Sequence, residues 1–229
     1  MKRCPEPELM NVPDQVIAYA DADFSSSDQS VIERLSELMD QSCTVLPANS
    51  LILDLGCGPG NISERLAAHW PLSDVIGLDG APSMLGIANQ RLSCLRPTVQ
   101  NLTYLLVDLS HCCLEDIPQL KGASVIISNS LLHHLHNPQS LWASVKQLAM
   151  PNAFMLHRDL RRPSDEQEVD ALCERYVSNA PSVLQHDFRA SLIAAFTADE
   201  VREQLDQAGL GQFTVMEIDD RYLEVCGQW

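Results

Sequence analysis

Four groups of residues in this chain have the types and spacing that chemistry requires. Asp54-x-Gly56-x-Gly58-x-Gly60 sets a carboxylate ahead of three glycines at alternate positions, with Cys57 between them and Asn61 directly after. Glycine there lets bare backbone approach a ligand, because a Cβ would block the contact or forbid the required φ. Asp79 and Asp108 each close a later apolar run, so two more carboxylates stand at the ends of candidate strands. His133-His134-Leu135-His136 follows a further such run and offers imidazoles, which are suited to taking a proton near neutral pH. Arg158-Asp159-Leu160-Arg161-Arg162 gathers three guanidiniums, a pattern that suits a carboxylate or phosphate and stands out in an acidic chain.

The elements that must hold these residues alternate. Leu51 to Leu53 form an apolar run that Asp54 ends, and Ile62, Leu66 and Ala67 then mark a helix stopping before Pro71. Residues 74–79 read as a second strand. Ala81-Pro82-Ser83 opens a helix whose stripe is Leu85, Ala88, Leu92 and Leu95. Strands follow at 102–108, 123–128 and 153–159, with a helix opened by Asn137-Pro138 between the last two. The stretch 160–196 is polar and helical. Thr197 to Glu200 is a capping-box start for a helix to about Ala208, and Gly209 closes it. Two final strands, 212–217 and 221–226, are joined by a tight Asp219-Asp220 turn, so the last should run antiparallel. Upstream, residues 1–12 read as a loose arm, followed by a short helix after Asp14 and a longer one from Ser27-Asp28 to about Ser42. The expectation is an α/β fold with a mostly parallel sheet covered on both faces. It is one domain over 1–229, with 1–45 as a helical lid and 160–196 as a helical insertion over the substrate pocket.

Composition narrows the function classes. Fifteen Lys and Arg against 31 Asp and Glu give a net charge of −16, which argues against a nucleic-acid backbone or an anionic membrane as partner. No stretch approaches the roughly 20 apolar residues of a membrane span. The first ten residues lack an apolar core for a signal peptide. The eight cysteines, at 4, 43, 57, 94, 112, 113, 173 and 226, contain no CxxC pair, so neither a zinc pattern nor a disulfide framework is expected. Reduced thiols in the cytoplasm are the expectation. No metal is expected either, because no carboxylate or cysteine stands at ligand spacing from the histidine run.

The glycine loop can be separated from its competitors. A phosphate-binding P-loop needs Lys and Ser/Thr after its last glycine, but Asn61-Ile62 stands there. A nicotinamide-dinucleotide loop is spaced G-x-G-x-x-G, and a pyrophosphate has little use for Asp54. The pattern D-x-G-x-G-x-G closely resembles the first motif of class I S-adenosylmethionine-dependent methyltransferases. Asp79, Asp108 and Asn129 follow in the family's order, and the resemblance covers roughly residues 50 to 160.

That resemblance implies a Rossmann-like sheet of seven strands, mostly parallel with the last antiparallel, and S-adenosylmethionine as cofactor. The carboxylate matching Asp54 would support the methionine ammonium. The backbone of Gly56, Cys57, Gly58, Gly60 and Asn61, at a helix N-terminus, would suit its carboxylate. Asp79 beside Gly80 would take the ribose hydroxyls, although serine is frequent at the position of Gly80 in relatives. Met84 would pack on adenine, with Asp108, Leu109 and Asn129 around its edge.

Methyl transfer is an in-line displacement, so the protein mainly aligns a nucleophile and excludes water. An oxygen or nitrogen acceptor can need a base, for which His133 and His134 are the candidates, though relatives commonly carry such a histidine run as scaffold. His136 is expected at the surface. Tyr19 would meet the sulfonium through its ring or hydroxyl, beside Phe24. Arg158, Asp159, Arg161, Arg162 and Phe24 are expected at the acceptor, with Tyr176, His186 and Arg189 as weaker candidates. The function implied is methyl transfer to a small, anionic metabolite, with no nucleic-acid or membrane partner. The alternatives are a non-catalytic adenosylmethionine-binding module and, against the loop spacing, a nicotinamide-dependent oxidoreductase.

Overall fold

The central apolar runs become strands buried on both sides, and the runs at the two edges of the sheet are buried on one. In the computed structural model, which describes residues 1–96, 98–112 and 114–229, the strands are β1 (Leu51–Leu55), β2 (Asp74–Asp79), β3 (Leu102–Leu106), β4 (Ala123–Asn129), β5 (Ala149–Leu160), β6 (Thr214–Glu217) and β7 (Tyr222–Gln228). They form one sheet in the order β3-β2-β1-β4-β5-β7-β6. The first five are mutually parallel, and β7 runs antiparallel to both β5 and β6. Successive side chains on a strand point to opposite faces, and β1 shows it: Ile52 joins one apolar core and Leu53 the other.

Helices α2 (Ser25–Gln41), α3 (Asn61–His69) and α4 (Pro82–Leu95) supply Leu35, Leu66 and Leu85 to the first core. Helices α5 (Gln139–Leu148) and α8 (Ala198–Ala208) supply Trp142, Val145 and Val201 to the second. The Thr197/Glu200 capping box of α8 is present, and Gly209 closes the helix at φ 68°. The short helix α1 (Pro13–Asp21) and the pair α6 (Glu166–Val177) and α7 (Ser182–Ala194) stand over the carboxyl ends of the parallel strands. Among the described residues, no helix is long and apolar enough to cross a membrane. Cys113 lies outside the described residues; the other seven cysteines are free thiols, with Cys57 and Cys226 buried.

Three local expectations are corrected. Strand β3 ends at Leu106, because Asp108 starts a turn in which it accepts the backbone N–H of Ser110 at 2.9 Å. Helix α2 begins at Ser25, where the Asp23 carboxylate accepts the first free N–H at 2.9 Å. The first residues are not a loose arm. Arg3 donates to the carbonyls of Ala194 (2.5 Å), His133 (2.9 Å) and Leu135 (3.0 Å), and its guanidinium lies 3.9 Å from the centre of the Phe196 ring. The Met1 amine reaches Ser164 O at 2.7 Å, and Glu8 accepts the backbone N–H of His136 at 2.7 Å. Carbonyls left free at the end of α7 and after β4 give Arg3 its acceptors, which composition alone does not reveal.

Candidate active site

The loop after β1 turns on glycines. Gly56, Gly58 and Gly60 have φ of 69°, 53° and 89°, in the left-handed region that L side chains rarely adopt. A Cβ on Gly58 would meet nothing within 4 Å, so that position is fixed by conformation; one on Gly60 would strike the Tyr104 hydroxyl. Gly60 is the N-cap of α3 and its carbonyl accepts from Tyr104 at 3.3 Å. It shapes the loop without lining the cavity in front of it.

That cavity, about 920 Å³, is lined by Asp54, Gly56, Cys57, Gly58, Asn61, Asp79, Gly80, Met84, Asp108, Leu109 and Asn129. Asp54 is 1% exposed and is supported by Ser63, whose hydroxyl donates to it at 2.6 Å. Burial pushes its pKa up to about 7, with the Asp79 charge adding to the effect and the Ser63 bond opposing it. A carboxyl so buried suits an arriving ammonium. Asp79 accepts the N–H of Gly58 at 2.8 Å and of Ala81 at 2.7 Å, tying the end of β2 to the loop. Burial nevertheless raises its pKa. Asp108 holds its own turn and meets His111 Nδ1 at 3.0 Å. Asn61 accepts from Arg91, and Asn129 Oδ1 is buried without a partner. A Cβ on Gly80 would lie 2.7 Å from Leu9, so glycine lets the N-terminal arm cross there.

Beyond the loop the cavity reaches the short turn Leu132–His134, where His133 and His134 line it. Asp159 on β5 does not touch the cavity; it accepts from Leu132 N at 2.6 Å and pairs with His133 Nδ1 at 2.5 Å. On the other side, Glu6 Oε1 lies 3.5 Å from His133 Nε2 and 3.2 Å from His134 Nδ1. Burial works against charge on His133, but the Asp159 charge and hydrogen bond, with Glu6, outweigh it and raise its pKa. Burial and the neighbouring His133 push His134 down to about 3. The two rings are thus held in different states, one favouring the proton and one refusing it. Glu6, His133 and His134 place donor atoms within 4.8 Å of one another, a set that local spacing hid because Glu6 arrives from the arm. A proton on His133 between Asp159 and Glu6 meets the same electrostatic need as a cation. His136 is exposed, and its ring bonds to Glu6 O at 2.8 Å.

Tyr19 on α1 and Phe24 line the same space, their rings 5.0 Å apart at 40°. Burial raises the Tyr19 pKa, so the phenol keeps its proton. The arginine expectation needs correction. Arg158 lines the cavity, but it donates to Ser30 Oγ at 2.7 Å and to Glu224 at 3.2 Å. Arg161 and Arg162 do not line it. Arg162 pairs with Glu200 at 2.6 Å and Arg161 stands 3.8 Å from both Glu168 and Glu217, since the chain leaves the strand end toward acids of α6, α8 and β6. Tyr176 is on the cavity wall; His186 and Arg189 are not, and Arg189 is bound to Asp170 and Glu166.

Three residues of the site escaped the sequence reading: Asp28 and Arg221 on the wall, and Glu6 against the two histidines. Asp28 is 6% exposed on α2, with Oδ2 buried and unpartnered beside the cavity. Its position on the buried stripe 28-31-32-35 was the available signal, because a carboxylate on an apolar stripe demands a reason. Glu6 and Arg221 gave no local signal.

Glycine turn, acids at successive strand ends and the order β3-β2-β1-β4-β5-β7-β6 together define the class I S-adenosylmethionine-dependent methyltransferases. The chain belongs to that family: residues 28–212 match the family model described as "Methyltransferase domain". Over 110 residues it is 34% identical to a trans-aconitate 2-methyltransferase of Methylobacterium radiotolerans, covering 48% of this chain and 38% of that one. Over 137 residues it is 36% identical to a malonyl-[acyl-carrier protein] O-methyltransferase of Bacillus cereus, covering 53% and 46%. The aligned part thus spans about half or less of these curated relatives. Among solved structures, a SAM-dependent methyltransferase from Aquifex aeolicus superposes with a TM-score of 0.65 at 17% identity, covering 96% of this chain and 99% of that one. The plantazolicin methyltransferase BpumL, in complex with a triazolic desmethylPZN analog and SAH, gives 0.72 at 14% identity, covering 94% and 91%. At such identities these two establish the fold alone.

Proposed function

We propose that this chain transfers the methyl group of S-adenosylmethionine to a carboxylate oxygen of a small organic acid. The observation that carries the proposal is one continuous cavity that runs from the glycine loop to His133, Arg158 and Arg221. The cofactor supplies an electrophilic methyl on a sulfonium. Asp54 and Asp28 offer carboxylates for its ammonium, Asp79 serves the ribose, and Met84, Asp108, Leu109 and Asn129 enclose the adenine. Tyr19 and Phe24, which line the same cavity, would stand toward the sulfonium.

A carboxylate acceptor is already ionised at neutral pH and needs no proton removed. That suits His133, whose pKa is raised by Asp159 and Glu6 against the effect of burial, as an electrostatic partner of the acid, and it suits His134, which burial keeps from taking a proton. Two guanidiniums, Arg34 and Arg158, share the buried carboxylate of Glu224, and of the two only Arg158 reaches the wall, while Arg34 also pairs with Glu37. The arm with α1, and α6 with α7, act as the lid and insertion that exclude water. The names of the relatives, trans-aconitate and malonyl-carrier methyltransferases, support an acid as acceptor. The free thiols support a cytoplasmic location.

The test is a panel of mono-, di- and tricarboxylates incubated with methyl-labelled S-adenosylmethionine, scored for base-labile methyl esters. Ester formation is expected for at least one acid. Tight cofactor binding without an ester anywhere in the panel would refute the proposal and leave a non-catalytic binding module. Binding of NAD in preference to S-adenosylmethionine would remove the cofactor assignment as well.

A further inference from the structure

We infer that Arg221, bracketed by Tyr176 and Tyr222, is a socket for a second carboxylate of the acceptor, so that the substrate is a dicarboxylate or higher acid. The inference rests on the methyl-transfer reading and adds to it where the far end of the substrate is held. All three side chains line the cavity. The guanidinium carbon lies 3.6 Å from the ring centre of Tyr176 and 4.8 Å from that of Tyr222. Stacking of this kind fixes the plane of a guanidinium while leaving its in-plane N–H donors free.

Those donors are unused. Among the described residues the Arg221 guanidinium has no ion pair and no hydrogen bond, and its Nε is buried without a partner. The acids nearest in sequence are committed elsewhere. Asp220 takes Arg175 and, at 2.6 Å, the Tyr176 hydroxyl. Asp219 Oδ1 accepts the backbone N–H of Arg221 at 2.8 Å and of Tyr222 at 2.6 Å, while its carbonyl accepts Arg161 Nε at 3.3 Å. Asp187, also on the wall, accepts from Gln15 at 2.8 Å through Oδ1, and among the described residues its Oδ2 is buried without a partner and makes no ion pair with Arg221. The other guanidinium on the wall, Arg158, is occupied by Ser30 and Glu224. In a chain of net charge −16, acids abound to neutralise an arginine, yet this one is left open toward the cavity. A buried donor without an acceptor is costly until something accepts from it. A carboxylate matches the planar fork with two parallel charge-assisted hydrogen bonds.

The bracket also links two regions. Tyr176 comes from α6 and Tyr222 from the start of β7, so the socket forms only where the insertion meets the sheet edge. Arg221 directly precedes β7, three strands from β1 in the sheet, so one acid group would stand toward the sulfonium and the other at Arg221.

The experiment compares wild type with Arg221→Gln and Tyr176→Leu on matched acceptors of one chain length: a diacid, a monoacid, and a monoacid carrying a terminal phosphate. The readout is the ratio of kcat/KM for diacid over monoacid, with calorimetric binding of the diacid to protein saturated with S-adenosylhomocysteine as a measurement that needs no turnover. Arg221→Gln should lower the ratio roughly 10- to 100-fold, as expected for a lost bidentate ionic contact, and weaken diacid binding in parallel. Tyr176→Leu should lower it less, by releasing the guanidinium plane. Arg221→Lys, which keeps charge but not the fork, should fall between. A ratio within twofold of wild type in Arg221→Gln, with diacid binding unchanged, overturns the inference even if esters form. A terminal phosphate preferred over the carboxylate overturns the assigned anion. Absence of any ester defeats the methyl-transfer reading separately, and calorimetry still decides the socket.

Discussion

The two ends of the cavity are built on different principles. At the cofactor end, Asp54 to Asn61 come from eight consecutive residues, and Asp79 and Asp108 stand at or just past the ends of neighbouring parallel strands. At the acceptor end, Glu6, Tyr19, Arg158, Tyr176 and Arg221 come from the arm, α1, β5, α6 and the turn before β7. One end is part of the sheet; the other is assembled from pieces laid over it. Ligands on open α/β sheets bind outside the carboxyl ends of the strands, so the sheet itself provides for the cofactor, while added segments choose the acceptor. Substitutions should therefore separate into those that damage the scaffold, those that weaken cofactor and those that alter only the acceptor.

The largest effect is expected where the two ends share a support. Glu224 is fully buried and holds both Arg34 and Arg158, at 2.7 and 3.2 Å. Glu224→Leu leaves two guanidiniums facing each other without their carboxylate, which should cost about 3–5 kcal/mol of folding stability. Urea unfolding reads this as a lowered midpoint with an unchanged slope. A loss under about 1 kcal/mol would show that the pair is supported by solvent rather than by Glu224.

Next in size is the cofactor end alone. Asp79→Ala removes the acceptor of two backbone N–H groups and of the proposed ribose contacts, and should weaken S-adenosylmethionine binding by about 1–3 kcal/mol. Calorimetry reporting unchanged affinity would end the ribose assignment. The same variant should leave the Arg221 preference for diacids intact, as separate construction of the two ends requires.

This division also explains what could be read in advance. The loop, the succession of strands and helices and the α8 capping box were legible because each is a local pattern: an apolar run, a glycine that must adopt positive φ, a cap and its partner three residues on. The arginine cluster was misleading for a physical reason. Three guanidiniums adjacent in sequence leave a strand end in different directions, and Arg161 and Arg162 found Glu168, Glu217 and Glu200 from elements that local spacing does not address. Arg221, by contrast, looked like any residue after a turn. Its distinction lies in what fails to contact it, which only the packed structure displays. The arm was misjudged because Arg3 is held by backbone carbonyls, and every residue type has one.

A pH series probes the cofactor end more finely. Burial lifts the Asp54 pKa from 3.8 to about 7, so the folded protein binds that proton more tightly than the unfolded chain. Stability from this carboxyl is therefore fully present below about pH 4 and is lost as pH rises toward 7. An ammonium beside Asp54 favours the ionised form, so binding should expel a proton. Affinity for S-adenosylmethionine should then rise with pH by at most about tenfold per unit up to pH 7, and level off above it. Asp54→Asn should flatten the rise. An affinity independent of pH in the wild type would mean that no cation reaches Asp54.

The smallest effect tests the comparison at its weakest join. Arg3 donates three hydrogen bonds to carbonyls, two of them on the turn that carries His133, and Glu6 three residues later meets that histidine. Arg3→Gln should loosen the arm at a cost of about 1 kcal/mol, since water can replace part of what is lost at a partly buried site. Arg3 and Glu6 meet the acceptor end, whereas the later residues of the arm meet the cofactor end: Leu9 crosses Gly80, Met10 packs against Ala81 and Met84, and Glu8 accepts from Ser110 Oγ at 3.4 Å. KM for the acid should accordingly rise a few-fold while affinity for S-adenosylmethionine stays within twofold. Equal weakening of both would mean that the arm closes over the whole cavity as one body, and that the two ends, though built separately, open together.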